Sequence, residues 1–240
     1  FRAIEEKKRE RLELLDSRKE QWRKCDELSE KVKEARENTQ RSLADVRKSM
    51  PRATSMGLQA LSNIVQQERL VIGEQYFGML IDNMELVDPK FQSAVEVAAQ
   101  NALFHVIVDT DATAARLMKR LETERLGRVT FLPLNRLRIE HADYPESADV
   151  KPLLSQCIKY EANVARAMQH VFGKKLLARN VDAASTWSAK CNMDAITLEG
   201  DLCSRKGALT GGYVDQQRSR LRAHLQHKAS QRELAKADAD

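Results

Sequence analysis

The first 48 residues contain neither glycine nor proline, are dense in Glu, Lys and Arg, and return an apolar side chain every three or four positions. With Cys25, Val32 and Val46 at a and Leu14, Leu28 and Ala35 at d of a heptad, thirteen a/d positions run from Ile4 to Val46, and seven of them are apolar. Such a helix would be about 70 Å long. Its narrow apolar seam can be buried only by a partner helix. Arg11, Arg18 and Gln21 fall on the same seam, so the outer half should pack more loosely than the half nearest Val46. Pro51 ends the run, because proline lacks an N–H and disfavours helix in the residue before it. Residues 216–240 are again free of glycine and proline and place Leu221, Leu225 and Leu234 at helical spacing, which makes them the natural partner. One helix enters the middle of the chain and the other leaves it, so the two must pair antiparallel. Their unequal lengths suggest a piece of longer arms.

Charge divides along the same lines. The stretch up to Met50 holds fifteen basic and twelve acidic residues, Pro51 to Asp215 nineteen and twenty, and the remainder six and three. The middle is therefore nearly neutral, and the formal excess of +5 sits on the flanks. That excess fits either a solvated helix face or a weak attraction for phosphate backbones. Cys25, Cys157, Cys191 and Cys203 are scattered without a C-x-x-C pair, as expected of a reducing compartment without disulfides or structural zinc. No apolar run approaches a membrane span, so a soluble, intracellular chain without a membrane partner is expected.

Between the arms the pattern alternates. Helices are predicted at Met56 to Gln67, from Pro89 onward, from an Asp111 cap to about Arg125, at Asn163 to Val171 and at Ala183 to Lys190. Strands are predicted at Tyr76 to Ile81, Leu103 to Val108, Val129 to Leu132, Lys175 to Ala178 and Ala195 to Leu198, with a hairpin at Glu199-Gly200-Asp201. Residues 136–152 are poorly periodic and contain Pro145, so they join two α+β lobes, one of about 51–135 and one of about 153–215.

Four of the nine glycines lie in TLEGDLCSRKGALTGGY, Thr197 to Tyr213. Thr210-Gly211-Gly212 could form an anion-binding nest, or could leave main chain bare so that another protein packs close. Leu209 and Tyr213 flank it, and tyrosine is an interface-enriched side chain. Leu103-Phe104-His105-Val106-Ile107 is long and uncharged, equally compatible with a buried central strand and an exposed edge.

This glycine-rich segment, with AVEVAAQNALFHVIVD at Ala94 to Asp109, VTFLPLN at Val129 to Asn135 and HVFGKKLLAR at His170 to Arg179, resembles the hinge of structural maintenance of chromosomes (SMC) proteins. The FLPLN, HVFGK and YPE wording is most similar to the third SMC subunit of cohesin, and the resemblance covers about Ser49 to Arg220. It implies a two-lobed hinge at 51–215 between coiled-coil arms at 1–50 and 216–240. In such hinges the first lobe of one subunit meets the second lobe of its partner, twice, around a pseudo-two-fold ring. Leu103, Phe104, His105, Val106 and Ile107 would then form one half of a junction and Leu209, Thr210, Gly211, Gly212 and Tyr213 the other. The expected partner is the hinge of the other cohesin SMC subunit, in the nucleus on chromosomes, closing a ring used in sister chromatid cohesion and segregation. A self-pairing hinge or a nucleic-acid-binding module are the alternatives. Where relatives usually carry glycine before Asn101, this chain has Gln100.

Weak, salt-sensitive DNA binding near the arm root would fall to Arg205, Lys206, Arg218 and Arg220, through phosphates rather than bases because aromatic residues are scarce there. Catalysis is not expected. Neither G-x-x-x-x-G-K-S/T nor G-x-G-x-x-G occurs, and the ATPase heads of the resembled family lie at the far ends of its arms. His105 and Asp109 lack a nucleophile, and His224 and His227 lack a third ligand and are read as arm surface. No metal, cofactor or small-molecule substrate is therefore expected.

Overall fold

A computed structural model describes residues 2–213 and 215–239; Phe1, Val214 and Asp240, which the expected arm and hinge spans include, lie outside them. Two compact units are present, one holding the chain up to Val46 and from His224 on, the other Arg47–Ala223.

The first helix, α1, runs Arg2–Lys48. Pro51 then does more than end it: its φ of −57° starts α2 (Arg52–Gln67), four residues earlier than the apolar periodicity indicated, and its carbonyl accepts from Ser55 N at 3.0 Å. One face of α2 buries Leu61, Ile64 and Val65. The chain continues through β1 (Tyr76–Met79), β2 (Glu85–Leu86) and α3 (Gln92–Ala99) to β3 (Val106–Val108), α4 (Asp111–Thr123) and β4 (Phe131–Pro133). Strand order is β1-β3-β4, with β1 antiparallel and β4 parallel to β3. This sheet packs with α2 and α4 around Leu61, Ile64, Val106, Val108, Leu117 and Leu121, the core of lobe one. Thr110, not Asp111, caps α4, its Oγ1 accepting from Thr113 N at 3.3 Å.

Lobe two repeats the parallel strand-helix-strand unit. After β5 (Val150–Pro152), α5 (Leu153–Cys157), β6 (Ile158–Lys159) and α6 (Ala165–Phe172), strand β7 (Lys175–Ala178) leads through α7 (Val181–Cys191) to β8 (Asp194–Thr197), β9 (Leu202–Cys203) and β10 (Leu209–Thr210). The sheet order is β10-β9-β8-β7-β5. Its core holds Val150, Leu176, Ala184, Met193 and Ala195. The two lobes are joined by the antiparallel pair β2–β6 and by α3, which packs against α6 and β8.

Ser219 begins α8 (Arg220–Ala237). Its start is held by a neighbour: the Glu96 carboxylate on α3 accepts from Ser219 Oγ, from Arg220 N at 2.9 Å and from Leu221 N at 3.4 Å. A carboxylate at a helix N-terminus satisfies unpaired N–H groups and complements the dipole.

In the arm unit, Leu28, Val32, Ala35, Thr39, Ser42 and Val46 of α1 are shielded along the expected a/d seam, with Asn38 and Leu43 shielded beside it. Ser42 Oγ meets His227 Nδ1 at 3.0 Å and Thr39 Oγ1 donates to Ser230 O at 3.1 Å, so α1 and α8 run antiparallel. His224 and His227 are not arm surface; they are buried in this seam, while Leu225 points out at 38% exposure.

Gln100 stands after α3 with φ 50° and ψ −128°, a conformation that suits glycine. The strain is held in place by Leu103 and Phe104, both buried, and by Asn101, whose Oδ1 accepts from Arg220 at 2.9 Å. Gln100→Gly is therefore expected to stabilise the protein by about 1 kcal/mol, strain relief outweighing the greater freedom of unfolded glycine. A lowered thermal midpoint would contradict this.

The cysteines are all free. Cys157 is fully buried and its thiol is pushed up to about 12 by burial, and burial also raises Cys203. Since the thiolate is the reactive form, a maleimide at neutral pH should label Cys25 and Cys191 in the native protein, and Cys157 and Cys203 only after denaturation. Mass spectrometry of the labelled peptides checks this.

Candidate protein interface

The two larger sheets have four edges between them, and an exposed edge is a template for another chain unless something blunts it. The β1 edge is blunted: Asn83 Nδ2 donates to Phe77 O at 2.7 Å and Met79 O at 2.8 Å, and Asp82 accepts from Met79 N at 3.0 Å. The β5 edge is short and carries Pro152, which has no N–H to offer. The β4 edge is as short and is likewise blunted at its end, where Pro133 has no N–H and its carbonyl accepts from Arg136 N at 3.0 Å, which leaves Phe131 as its open residue; β10 is a two-residue edge without proline.

At β4, Val106 N donates to Thr130 O at 2.9 Å and Leu134 N to Val108 O at 2.9 Å. Alternation along a strand then turns the N–H and C=O of Phe131 away from β3, toward the open side. Beside this edge, between β4 and α4, lies a groove of about 790 Å³ lined by apolar residues that include Met118, Val129 and Phe131 and by the charged Asp111, Glu122, Arg128 and Arg136. Asn135 secures the end of the strand, accepting from Asp111 N at 3.0 Å and donating to the Asp111 carboxylate at 2.8 Å. That bond, with Arg136 beside it, holds the Asp111 carboxyl below its ordinary range.

At β10 the geometry is equivalent. Ser204 N donates to Ala208 O at 2.8 Å in register with Leu209↔Cys203 and Thr210↔Leu202, so the N–H and C=O of Leu209 face away from β9. Leu209 is 67% exposed and Tyr213 93%. Two carboxylates hold this hairpin from beneath. Asp194 Oδ1 accepts from Arg205 N at 3.0 Å, and Asp201 Oδ1 accepts from Gly212 N at 3.4 Å. A Cβ on Gly211 would lie 2.5 Å from that Asp201 oxygen, whereas Gly212 has open space but φ +130°. Substitutions at either glycine therefore disturb the hairpin as well as any contact it makes.

The five residues Leu209 to Tyr213 are thus consecutive and exposed, with Leu209 and Thr210 on the β10 edge and the others in the segment after it. Leu103, Phe104, Val106 and Ile107 are not on an edge at all: Leu103 and Phe104 lie in a 3-10 turn, Val106 and Ile107 in the central strand β3, all at 0–2% exposure. Their side chains fill the interior and β3 has neighbours on both sides, so they offer no surface to a partner. His105 is half-buried, its carbonyl accepts from Leu80 N at 2.8 Å, and burial first, then His170 nearby, lowers its pKa. The lobe-one edge is instead β4, and a signal for it was present in the sequence: Pro133 within FLPLN, since proline in a strand is confined to edges.

Among the basic candidates, Arg205 and Lys206 stand exposed in the hairpin turn. Arg218 is paired with Asp215 at 3.6 Å. Arg220 is occupied in another way, bonded to Asn101 and lying 5.9 Å from the centre of the Phe104 ring, so it serves the root of α8. Among the described residues no group of three or more His, Cys, Asp and Glu could hold a metal, and no helix is long and apolar enough to cross a membrane.

A family model described as the SMC proteins Flexible Hinge Domain matches residues 73–188. A Cryptococcus neoformans var. grubii protein named Urease accessory protein 2 is 39% identical over 207 residues, 85% of this chain and 16% of that protein. Structural maintenance of chromosomes protein 3 of Saccharomyces cerevisiae is 35% identical over 215 residues, 87% of this chain and 17% of its own length. A solved structure described as the folded elbow of cohesin has a TM-score of 0.73 at 33% identity, covering 94% of this chain and 33% of that one. The chain thus spans about a sixth of the length of these curated relatives, at 16% and 17%. Matched by the family's hinge within its two lobes and by family members over most of its length, the chain belongs to the structural maintenance of chromosomes family, of which it carries the non-catalytic hinge.

Proposed function

We propose that this hinge, spanning about residues 51–215, pairs with the hinge of the other SMC subunit of cohesin and so closes one end of a ring that holds DNA in sister chromatid cohesion and chromosome segregation, in the nucleus. The observation that carries this is the pair of bare strand edges, Phe131 on lobe one and Leu209 on lobe two, each ready to receive a strand from another chain. The relatives' names, SMC protein 3 in yeast and cohesin in the structural neighbour, favour the cohesin partner. No chemistry is performed; the function is binding free energy. Two junctions in a closed ring support each other, because after one opens the other keeps the partner at about millimolar effective concentration.

Both edges belong to one chain, so self-pairing is geometrically open as a second reading. Light scattering on the chain alone and mixed with the second subunit's hinge tests the choice. A monomer alone and a one-to-one dimer in the mixture is the expected result; a dimer alone supports self-pairing, and monomers throughout overturn pairing. Weak DNA binding falls to Arg205 and Lys206, each replacement reducing the salt slope by about 1 if both contact phosphate.

A further inference from the structure

For two junctions to form at once, the β4 edge and the β10 edge must be held at a fixed separation and angle, and the residues that fix them lie between the lobes. The helix that lobe one lays on lobe two is α3, which packs against α6 and β8 and buries Ala94, Val95, Ala98 and Ala99. Lys175, the first residue of β7, reaches across to the end of this helix, where its Nζ donates to Ala98 O. A lysine at a helix C-terminus satisfies a carbonyl that has no partner within the helix and complements its dipole. On its other side Lys175 lies in register beside Asp194, whose Oδ1 accepts from Ser204 Oγ at 3.4 Å and from Arg205 N at 3.0 Å, in the turn that delivers β10. The last turn of α3 is thus bonded to Lys175 on β7, and the neighbouring strand β8 carries Asp194, which bonds the hairpin that carries Leu209.

The route also reaches the other edge. Two residues after Ala98 comes the strained Gln100, then buried Leu103 and Phe104, then β3, on which β4 is aligned. Another link between the lobes, β2–β6, is short and is made through backbone. Burial lowers the Lys175 pKa, as expected for an ammonium taken from water to serve as a strut.

We propose that Lys175 is a positioning residue for hinge pairing: by gripping Ala98 it sets lobe two against lobe one, so that both edges meet a partner hinge simultaneously. This rests on the two-edge pairing proposed above. A residue that acts only through simultaneous engagement has a distinctive signature, because its removal matters when both junctions form and not when one is disabled.

The test is a cycle of four full chains, the unaltered one, Lys175→Met, Leu209→Pro and the double variant, each titrated calorimetrically with the hinge of the second cohesin SMC subunit. Lys175→Met is expected to weaken binding about tenfold in the unaltered background and to change it by less than about twofold in the Leu209→Pro background, where the ring cannot close. An equal loss in both backgrounds would assign Lys175 to a local structural role and overturn the proposal, as would no loss in either. Failure of the unaltered chain to bind would instead overturn the pairing on which the role depends. Circular dichroism establishes that each variant is folded; should Lys175→Met not fold, Lys175→Gln, which keeps a donor on a shorter stem, carries the same cycle with the same two contradicting results.

Discussion

Leu209→Pro is expected to weaken pairing with the partner hinge by about 100-fold or more while leaving the thermal midpoint of the isolated chain nearly unchanged. The selectivity comes from the direction of one N–H. Ser204 N bonds Ala208 O, so the ladder with β9 is closed by Ala208 and Thr210, and the Leu209 N–H points into the open side. Proline is tolerated on an edge strand where the missing N–H faces outward. There it removes the donor that an added strand would use and places a ring where that strand must lie. Thr210→Pro, one residue on, removes a donor facing β9 and should damage the hairpin itself. Light scattering and thermal denaturation of the two variants side by side check the prediction. Equal pairing by Leu209→Pro and the unaltered chain would contradict it.

Gly127→Ala is expected to destabilise the protein by about 3 kcal/mol, a conformational cost and an overpacking cost each of about 1–3 kcal/mol. Gly127 has φ +84°, and a Cβ there would lie 2.4 Å from Ala53 O and 2.6 Å from Gly57 N. Neither neighbour is a flexible side-chain end. Ala53 O already accepts from Arg128 N at 3.0 Å, and a Cβ on Gly57 would in turn meet Val129 Cγ2 at 2.7 Å, so α2 and the approach to β4 touch backbone to backbone. A loss of that size is a large part of a typical total of about 5–15 kcal/mol. It should lower the thermal midpoint by about 10 °C. Because the strained segment leads into β4, Gly127→Ala should also weaken pairing. An unchanged midpoint in a thermal scan would show that the approach of α2 is not as close as described.

The arm seam was legible because heptad spacing is a long-range regularity: Leu28, Val32, Ala35 and Val46 are shielded where the pattern placed them. Strand β7 was equally legible, bounded by Gly173 before it and by the Asn180 cap of α7 after it. His224 and His227 were misread as surface once no third ligand was found for them, whereas both are buried and His227 meets Ser42 across the arm seam. The very short elements β2, β6 and α5, unlike β7, carry too little periodicity to be read.

The lobe-one edge was missed for a different reason. An uninterrupted apolar run such as Leu103 to Val108 reports burial but not position within a sheet, because strand order is decided by partners distant in sequence. Only the placement of β1 and β4 on either side of β3 shows that the run is central. The glycine-rich segment was easier to place on the surface, since its two adjacent glycines cannot fill a core, and Leu209 to Tyr213 are indeed exposed.

Hydrogen exchange of the backbone amides of Phe131 and Leu209, measured on this chain alone and in a one-to-one mixture with the second cohesin subunit's hinge, tests the account most directly. Both amides should exchange rapidly in the free chain and become protected together in the complex. Binding that leaves these two amides as exposed as before would mean that the partner docks elsewhere and that the bare edges are not the junctions.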